Sequence, residues 1–300
     1  MLSHRHPRSF RNTRCVYPVV SRRSGGVSIG INLHKRCNFA CVYCQVLGDT
    51  DSSGSAGFQP ARDKAGWKPA DPGTCQVNLE ILELELRAVV SMFNSGELFE
   101  DEWFRQTPPE KRRLNDIAFS GDGEPTLSPQ FYDAVEIAAM VRRELCPEET
   151  RIVLITNAST FHVKQIAQTI DLLMDNHGEV WAKLDAGTEE YYRKISRSNV
   201  PLETILRNIT DLSKRHPIWI QSLFLAKQNI GPSVEEIDRY IDRIREILAQ
   251  GGHLRGIQVY TVARMTPDPN ITALDDNEVD RIAERIRSQT NVPVLAFYSR

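Results

Sequence analysis

Val27-Ser28-Ile29-Gly30-Ile31-Asn32-Leu33 runs through His34-Lys35-Arg36 into Cys37-Asn38-Phe39-Ala40-Cys41-Val42-Tyr43-Cys44. The first seven residues alternate aliphatic side chains with small or polar ones, the period of a β-strand. The eight that close the stretch hold three thiols spaced CxxxCxxC, too close together for helix or strand to separate them. A strand feeding a sulfur-bearing loop at its C-terminal end is therefore the local unit from which the rest of the chain is read.

Outward from that unit, strand-like runs recur at 117–121, 151–156, 179–184, 218–225 and 254–261. Amphipathic stretches lie between them. Leu79, Leu82, Leu86, Val89 and Phe93 keep helical spacing. Ser128-Pro129 reads as an N-cap and first-turn proline ahead of Phe131, Val135 and Ala138. Ser233 with Glu236, and Asp275 with Glu278, have the spacing of capping boxes. Strands alternating with helices imply parallel pairing through right-handed crossovers. Six such units suit a partial (β/α)6 TIM-like barrel, with a C-terminal helix and a strand at 293–298 packed on its edge.

Polar side chains at alternate strand positions support a lumen over an open sheet. Ser28 and Asn32, Lys183 and Asp185, and Gln258 and Tyr260 each share one face, while Leu184, Ile257 and Val259 take the other. A doubly covered sheet would be apolar on both faces. In barrels of this kind chemistry sits at the C-terminal ends of the strands. The expected organisation is a basic extension at 1–16, a core at 17–264 and a helix–strand extension at 265–300. Within the core, 46–74 reads as a flexible insertion rich in Gly, Ser and Pro, where Ala56-Gly57-Phe58-Gln59-Pro60-Ala61 is echoed by Ala65-Gly66-Trp67-Lys68-Pro69-Ala70.

Composition narrows the function classes. With 41% hydrophobic residues in 300, the chain can bury a sizeable core, yet it has no apolar run long enough to span a bilayer. A net charge of −2 gives no bulk attraction to nucleic acid or anionic lipid. The charge is uneven, however: no Asp or Glu precedes Asp49, whereas Arg5, Arg8, Arg11, Arg14, Arg22, Arg23, Lys35 and Arg36 do. That bias fits a phosphate-handling surface, or a solvated, poorly ordered terminus over the first dozen residues. The segment lacks a secretory core, so a cytoplasmic protein is expected.

Cys37, Cys41 and Cys44 cluster, while Cys15, Cys75 and Cys146 are scattered, which points to metal or redox chemistry over a disulfide framework. Three thiolates can ligate three irons of a 4Fe–4S cubane and leave the fourth open, since full protein ligation needs four. The same thiols could instead join a fourth ligand from Cys15, Cys75 or His34 at a structural zinc site. On the zinc alternative the chain would be a nucleic-acid-binding module; with the cluster alone, an electron carrier. Other strand-end candidates are Asn157, the Lys183–Asp185 pair, Gln258 and Tyr260, with Arg264 in the loop beyond and His34 and Arg36 flanking the cysteines. Ser120-Gly121-Asp122-Gly123-Glu124-Pro125-Thr126 closes the second strand, where glycines admit close backbone approach and a carboxylate can pair with an ammonium group.

The cysteine loop resembles the signature of the radical S-adenosylmethionine (SAM) superfamily, with Tyr43 at the aromatic position before the third cysteine. That resemblance implies a 4Fe–4S cluster on Cys37, Cys41 and Cys44, SAM chelated at the open iron, and Tyr43 against its adenine. Gly121, Gly123 and Glu124 are similar to the family's GGEP segment for the SAM amino group, with Asp122 replacing a glycine. Asn157 is expected to contact the SAM carboxylate or ribose, and Gln258 and Tyr260 its adenine. The runs Ser21-Arg22-Arg23, 119–126, 183–186 and 258–264 resemble a group of Fe–S oxidoreductases related to tRNA wyosine synthases, over about 17–264 apart from the insertion. Those synthases carry a further cysteine set upstream, where this chain has only Cys15. The implied activity is reductive SAM cleavage to a 5′-deoxyadenosyl radical that abstracts hydrogen from a substrate, with a nucleotide or RNA preferred, then a peptide or partner protein, then a small metabolite. An external one-electron reductant of the flavodoxin or ferredoxin kind is implied as partner.

Overall fold

Period-two alternation sorts the strand side chains onto two faces with different partners. The structure, a computed structural model, describes residues 10–44 and 77–299, so the first nine residues and the expected insertion at 46–74 lie outside the described residues. Among the described residues the parallel strands are β2 (Gly26–Ile31), β3 (Leu114–Phe119), β4 (Arg151–Thr156), β5 (Gly178–Lys183), β6 (Ile218–Leu223), β8 (Leu254–Tyr260) and β10 (Val294–Phe297), hydrogen-bonded in that order. β1 (Val16–Ser21) adds antiparallel to β2 at the opposite margin from β10. The crossovers are α1 (Leu79–Ser95), α2 (Phe131–Leu145), α3 (Lys164–Asp175), then α4 (Glu189–Ser196) with α5 (Leu202–Arg215), α6 (Val234–Ala249) and α7 (Asp276–Thr290).

One face of the sheet meets the helices. Ile29, Phe119, Leu154, Val180, Ile220 and Val259 are all buried there, in one core with Leu82, Leu86 and Val89 of α1. Burying each such side chain contributes about 1.5–3 kcal/mol. The other face carries Ser28, Asp116, Lys183, Gln221 and Gln258 beside an apolar floor of Ala118, Val153 and Trp181. Across the gap between the two margins, Arg22 of the β1–β2 turn donates to the carbonyl of Tyr298, just past β10. Arg23 lies 4.8 Å from the Tyr260 ring centroid. Such contacts require a curled sheet, and the result is the half-barrel expected from the polar alternation. Glu179, paired with Arg151 at 3.2 Å and Arg255 at 3.5 Å, closes its N-terminal end.

Several local expectations are corrected. β1 was not anticipated, because Pro18 interrupts its strand pattern; an edge strand tolerates proline. The run 218–225 divides at Phe224, whose ring packs 5.4 Å from Tyr240, and β7 (Leu225–Lys227) leaves the barrel to pair with β9 (Ile271–Ala273). Residues 125–127 form a 3-10 turn, so α2 starts after Gln130 and Ser128 does not cap it; the Ser128 carbonyl accepts from Phe131 N at 3.1 Å. Phe10 is buried and Arg11 pairs with Glu97 at 2.7 Å, which ties down the end of the segment expected to be solvated. The box at Asp275 and Glu278 forms in full. At Ser233 only half of one forms, because Glu236 is used elsewhere.

Glu236 reaches from α6 to the loop after β5. Its carboxylate accepts from Gly187 N at 2.6 Å, Thr188 N at 3.3 Å and Thr188 Oγ1 at 2.6 Å. Removing it strands buried donors. Glu236→Ala is expected to cost about 1–3 kcal/mol in urea unfolding, whereas Glu235→Ala, on the exposed face of the same turn, should change little.

Candidate functional site

The cysteine loop has no regular structure, so its neighbours shape it. Ala40 N and Val42 N donate to the carbonyls of Ser196 and Ile195 at 3.1 and 2.9 Å, fastening the loop to the end of α4. Phe39 stacks edge-on against Tyr192, with centroids 5.9 Å apart, and Val42 is buried with Ile195, Leu223 and Ile271. Cys44 N closes a turn on the Cys41 carbonyl at 3.0 Å. Cys37, Cys41 and Cys44 are free thiols lining one cavity of about 400 Å³. Burial pushes the Cys37 thiol up to about 12 and the Cys41 thiol up as well. Thiolates on this loop therefore need a positive partner.

The glycine segment packs directly on that loop. Glu124 N donates to the Arg36 carbonyl at 2.9 Å. His34 accepts from Arg36 N at Nδ1 (3.0 Å) and donates from Nε2 to the Glu124 carbonyl at 2.8 Å. Burial and nearby Arg36 lower the His34 pKa, which suits this neutral tautomer. A Cβ on Gly123 would stand 2.5 and 2.6 Å from the carbonyl oxygens of His34 and Arg36. Gly121 has φ +130°, and a Cβ there would strike Asn32 Oδ1. Both glycines are required by close approach of backbone.

Glu124 is buried at the cavity wall with most of its acceptors used. Oε1 accepts from Thr126 Oγ1 at 2.7 Å, Thr126 N at 3.3 Å and Thr156 Oγ1 at 2.6 Å, and Oε2 from Asn157 N at 2.7 Å. Oε2 alone keeps room for a further donor. Burial raises the Glu124 pKa against these bonds. Asn157, expected to face the cofactor, spends its side chain on the loop: Nδ2 donates to Asn38 Oδ1 at 2.8 Å and lies 3.8 Å from Cys37 Sγ, while Oδ1 accepts from Ser159 N at 3.0 Å.

Tyr43, Lys183 and Tyr260 meet on the opposite wall. Lys183 Nζ sits 3.0 Å from Asp185 Oδ1 and donates to Tyr260 Oη at 2.6 Å; it is 5.1 Å from the Tyr43 ring centroid and 4.9 Å from that of Tyr260. Tyr43 Oη donates to Asp185 Oδ2, and Leu223 N donates to Oδ1 at 2.8 Å. Burial opposes the Lys183 charge, but Asp185 and Tyr260 outweigh it, so the amine is held protonated. Burial, then Asp185, likewise keeps the Tyr43 phenol protonated. Gln258 lies beneath the cavity wall, accepting from Gln221 Nε2 at 3.0 Å. Gln221, Tyr17 and Asp116 also line the cavity and were not singled out from sequence. Gln221 carries the same alternation signal as Lys183, since it stands between Ile220 and Ser222 with its side chain turned to the lumen.

No known family profile matches the sequence. Among curated proteins the chain is 23% identical to the GTPase Obg of Brachyspira hyodysenteriae over 98% of its own length, but it spans only 36% of that protein. It contains no Gly-Lys pair, the centre of a P-loop, so the match carries no nucleotide-hydrolysing machinery with it. Solved structures give a clearer likeness. A radical SAM methyltransferase from Sphaerobacter thermophilus is similar with TM-score 0.58 and 12% identity, covering 92% of this chain and 67% of that one. A spore photoproduct lyase variant gives 0.55 and 10%, over 94% and 79%. TYW1 with a bound lysine–pyruvate adduct gives 0.53 and 16%, over 88% and 74%. The chain thus has the fold of the radical SAM enzymes. Among the described residues no helix is long and apolar enough to cross a membrane.

Asp116 on the lumen face offers a test of the buried polar lining. Burial, opposed by the Ser28 hydroxyl, pushes its carboxyl up to about 6 from 3.8. The folded state then holds a proton that the unfolded state has released. The stability this group contributes is fully present below pH 3.8 and is lost as pH rises through about 6. Relative to Asp116→Asn, the wild type should lose about 3 kcal/mol between those limits in urea melts; parallel profiles would disprove the burial assignment.

Proposed function

We propose that the protein is a radical SAM enzyme, with Cys37, Cys41 and Cys44 holding a 4Fe–4S cluster and SAM binding beside it in the cavity. The observation that carries this reading is three free thiols from one loop lining the C-terminal mouth of a half-barrel with this fold. Among the described residues, no three His, Cys, Asp or Glu side chains are grouped tightly enough to hold one metal ion. A shared zinc would need its sulfurs about 2.3 Å from a single centre, whereas a cubane takes one cysteine per iron. When bound, the cluster supplies an electron and SAM a 5′-deoxyadenosyl radical that abstracts hydrogen from the substrate.

The chain's own residues bind and orient. Asn157, beside Cys37 Sγ, fixes the first thiol and ties the loop to the end of β4. The segment carrying Gly121, Gly123 and Glu124 presents backbone and the free side of Oε2 to an ammonium group. Tyr43, immobilised by Asp185, forms a wall for the adenine. Tyr260 extends that wall with Gln258 supporting it from beneath through Gln221, and the Lys183 ammonium meets carboxylate or hydroxyl oxygens. Leu223, Val42 and Ile271 exclude water from the loop's inner side, which a primary radical requires.

The reductive step places the enzyme among Fe–S oxidoreductases and calls for an external flavodoxin- or ferredoxin-like donor. A cytoplasmic setting suits the five described cysteines, all free thiols. The reading assigns catalysis to 17–264 and a supporting role to 265–300. For the substrate it leaves RNA or another nucleotide, a peptide or protein, or a small metabolite.

Anaerobically reconstituted protein should bind iron and sulfide and, reduced with dithionite, release 5′-deoxyadenosine from SAM. Cys41→Ala should abolish that release while circular dichroism stays native. A colourless protein with one zinc, or undiminished turnover in the variant, would reject the reading.

A further inference from the structure

On its hairpin side the cavity is lined by two arginines that no acid neutralises among the described residues. Arg22 and Arg23 occupy the β1–β2 turn, which is held by Gly25 N donating to the Ser21 carbonyl at 3.0 Å and Ser24 N to Ser21 Oγ at 3.2 Å. Ser21 pairs with Gly26, so the turn lies at the end of β2 away from the cysteine loop, about 16 Å along the strand. Both arginines nonetheless line the cavity that holds the three thiols. Arg22 touches the Tyr298 carbonyl and Arg23 covers the Tyr260 ring, but among the described residues neither forms an ion pair. The two carboxylates in the cavity wall are engaged elsewhere, Glu124 by Thr126, Thr156 and Asn157, and Asp116 by Ser28.

Two guanidinium groups facing one cavity repel each other, in part screened by water because Arg22 is exposed, and an anion between them relieves that repulsion. Desolvation, and then the Arg23 charge, lower the Arg22 pKa, as expected for cations held close without a counter-charge. SAM cannot be the missing anion. It is a zwitterion plus a sulfonium, with net charge +1 from its own formula, and its place in the reading above is at the cysteine end. A carboxylate is satisfied by one guanidinium fork, whereas a phosphate offers three acceptor oxygens and up to two charges, which matches a pair. Phe297 and Tyr298 stand on the same wall and give a planar group faces to stack against.

We propose that Arg22 and Arg23 form an anion subsite that takes a phosphate ester of the substrate, carried either by a free metabolite or by an RNA chain. The word substrate rests on the radical SAM reading; the subsite itself does not. The full-length protein is titrated by calorimetry with ribose 5-phosphate and, separately, with a mixed-sequence oligoribonucleotide lacking terminal phosphates. One of them should bind, and Arg22→Ala and Arg23→Ala should each weaken that binding by about tenfold or more. Arg207→Ala, on the exposed face of α5, should leave it unchanged. Preference for the monoester marks a phosphorylated metabolite; preference for the oligomer marks RNA. In the wild type, the ligand that binds should also slow phenylglyoxal labelling of Arg22 and Arg23, read by mass spectrometry, so misfolded variants do not decide the matter. Failure of both ligands to bind, binding indifferent to both substitutions, or unprotected labelling each overturns the subsite. Arginine-dependent binding without 5′-deoxyadenosine release would defeat the radical reading and leave the subsite standing.

Discussion

Backbone-to-backbone contact between the cysteine loop and the glycine segment is the constraint on which the site depends. The carbonyls of His34 and Arg36 lie where any side chain at residue 123 would have to go. With glycine there, Glu124 N can reach Arg36, and neutral His34 can bridge the two segments with both ring nitrogens. A loop of this length has no hydrogen-bonded ladder of its own. Its shape is imposed by α4 on one side, by this glycine contact on another and by Asn157 on a third, so the positions of the three sulfurs follow from tertiary packing.

The lumen is a second constraint, because its buried charges must each be answered. Lys183 ends β5 and Asp185 follows two residues beyond it, and Asp185 also takes the backbone N–H of Leu223 and the phenol of Tyr43. One carboxylate thus joins the cysteine loop, β5 and the end of β6. A buried ion pair of this sort contributes little net stability by itself. What it supplies here is orientation, since Tyr43 cannot turn without breaking the bond that completes the Asp185 shell. At the other end of the barrel, the buried carboxylate of Glu179 performs a closing role beneath the half-exposed Arg151 and Arg255.

Much of this was legible along the chain. Alternation at Lys183 and Asp185 and at Gln258 and Tyr260 identified a polar lumen, and CxxxCxxC after a strand located the loop. The parts that were not legible share a physical cause: they depend on which distant segments meet. Pro18 disguised β1, and with it the fact that Arg22 and Arg23 face the cavity. Glu124 reads from sequence as an unclaimed carboxylate, yet β3 and β4 pair in a register that brings Thr156 and Asn157 to it. Ser128-Pro129 has the chemistry of a helix start, but a 3-10 turn at 125–127 consumes the residues before it. Local propensity gave way to tertiary geometry at each of these points.

The seam where Arg22 meets the Tyr298 carbonyl joins the first strand of the sheet to the last. Until β10 has been added beyond β8, the curled sheet is an open gutter, and its polar lining stays in contact with solvent. The cavity therefore takes its shape late in assembly, from contacts between segments far apart in sequence, which fold more slowly than local ones. Whatever occupies the cavity can be closed over only once the segment that carries β10 has joined the sheet.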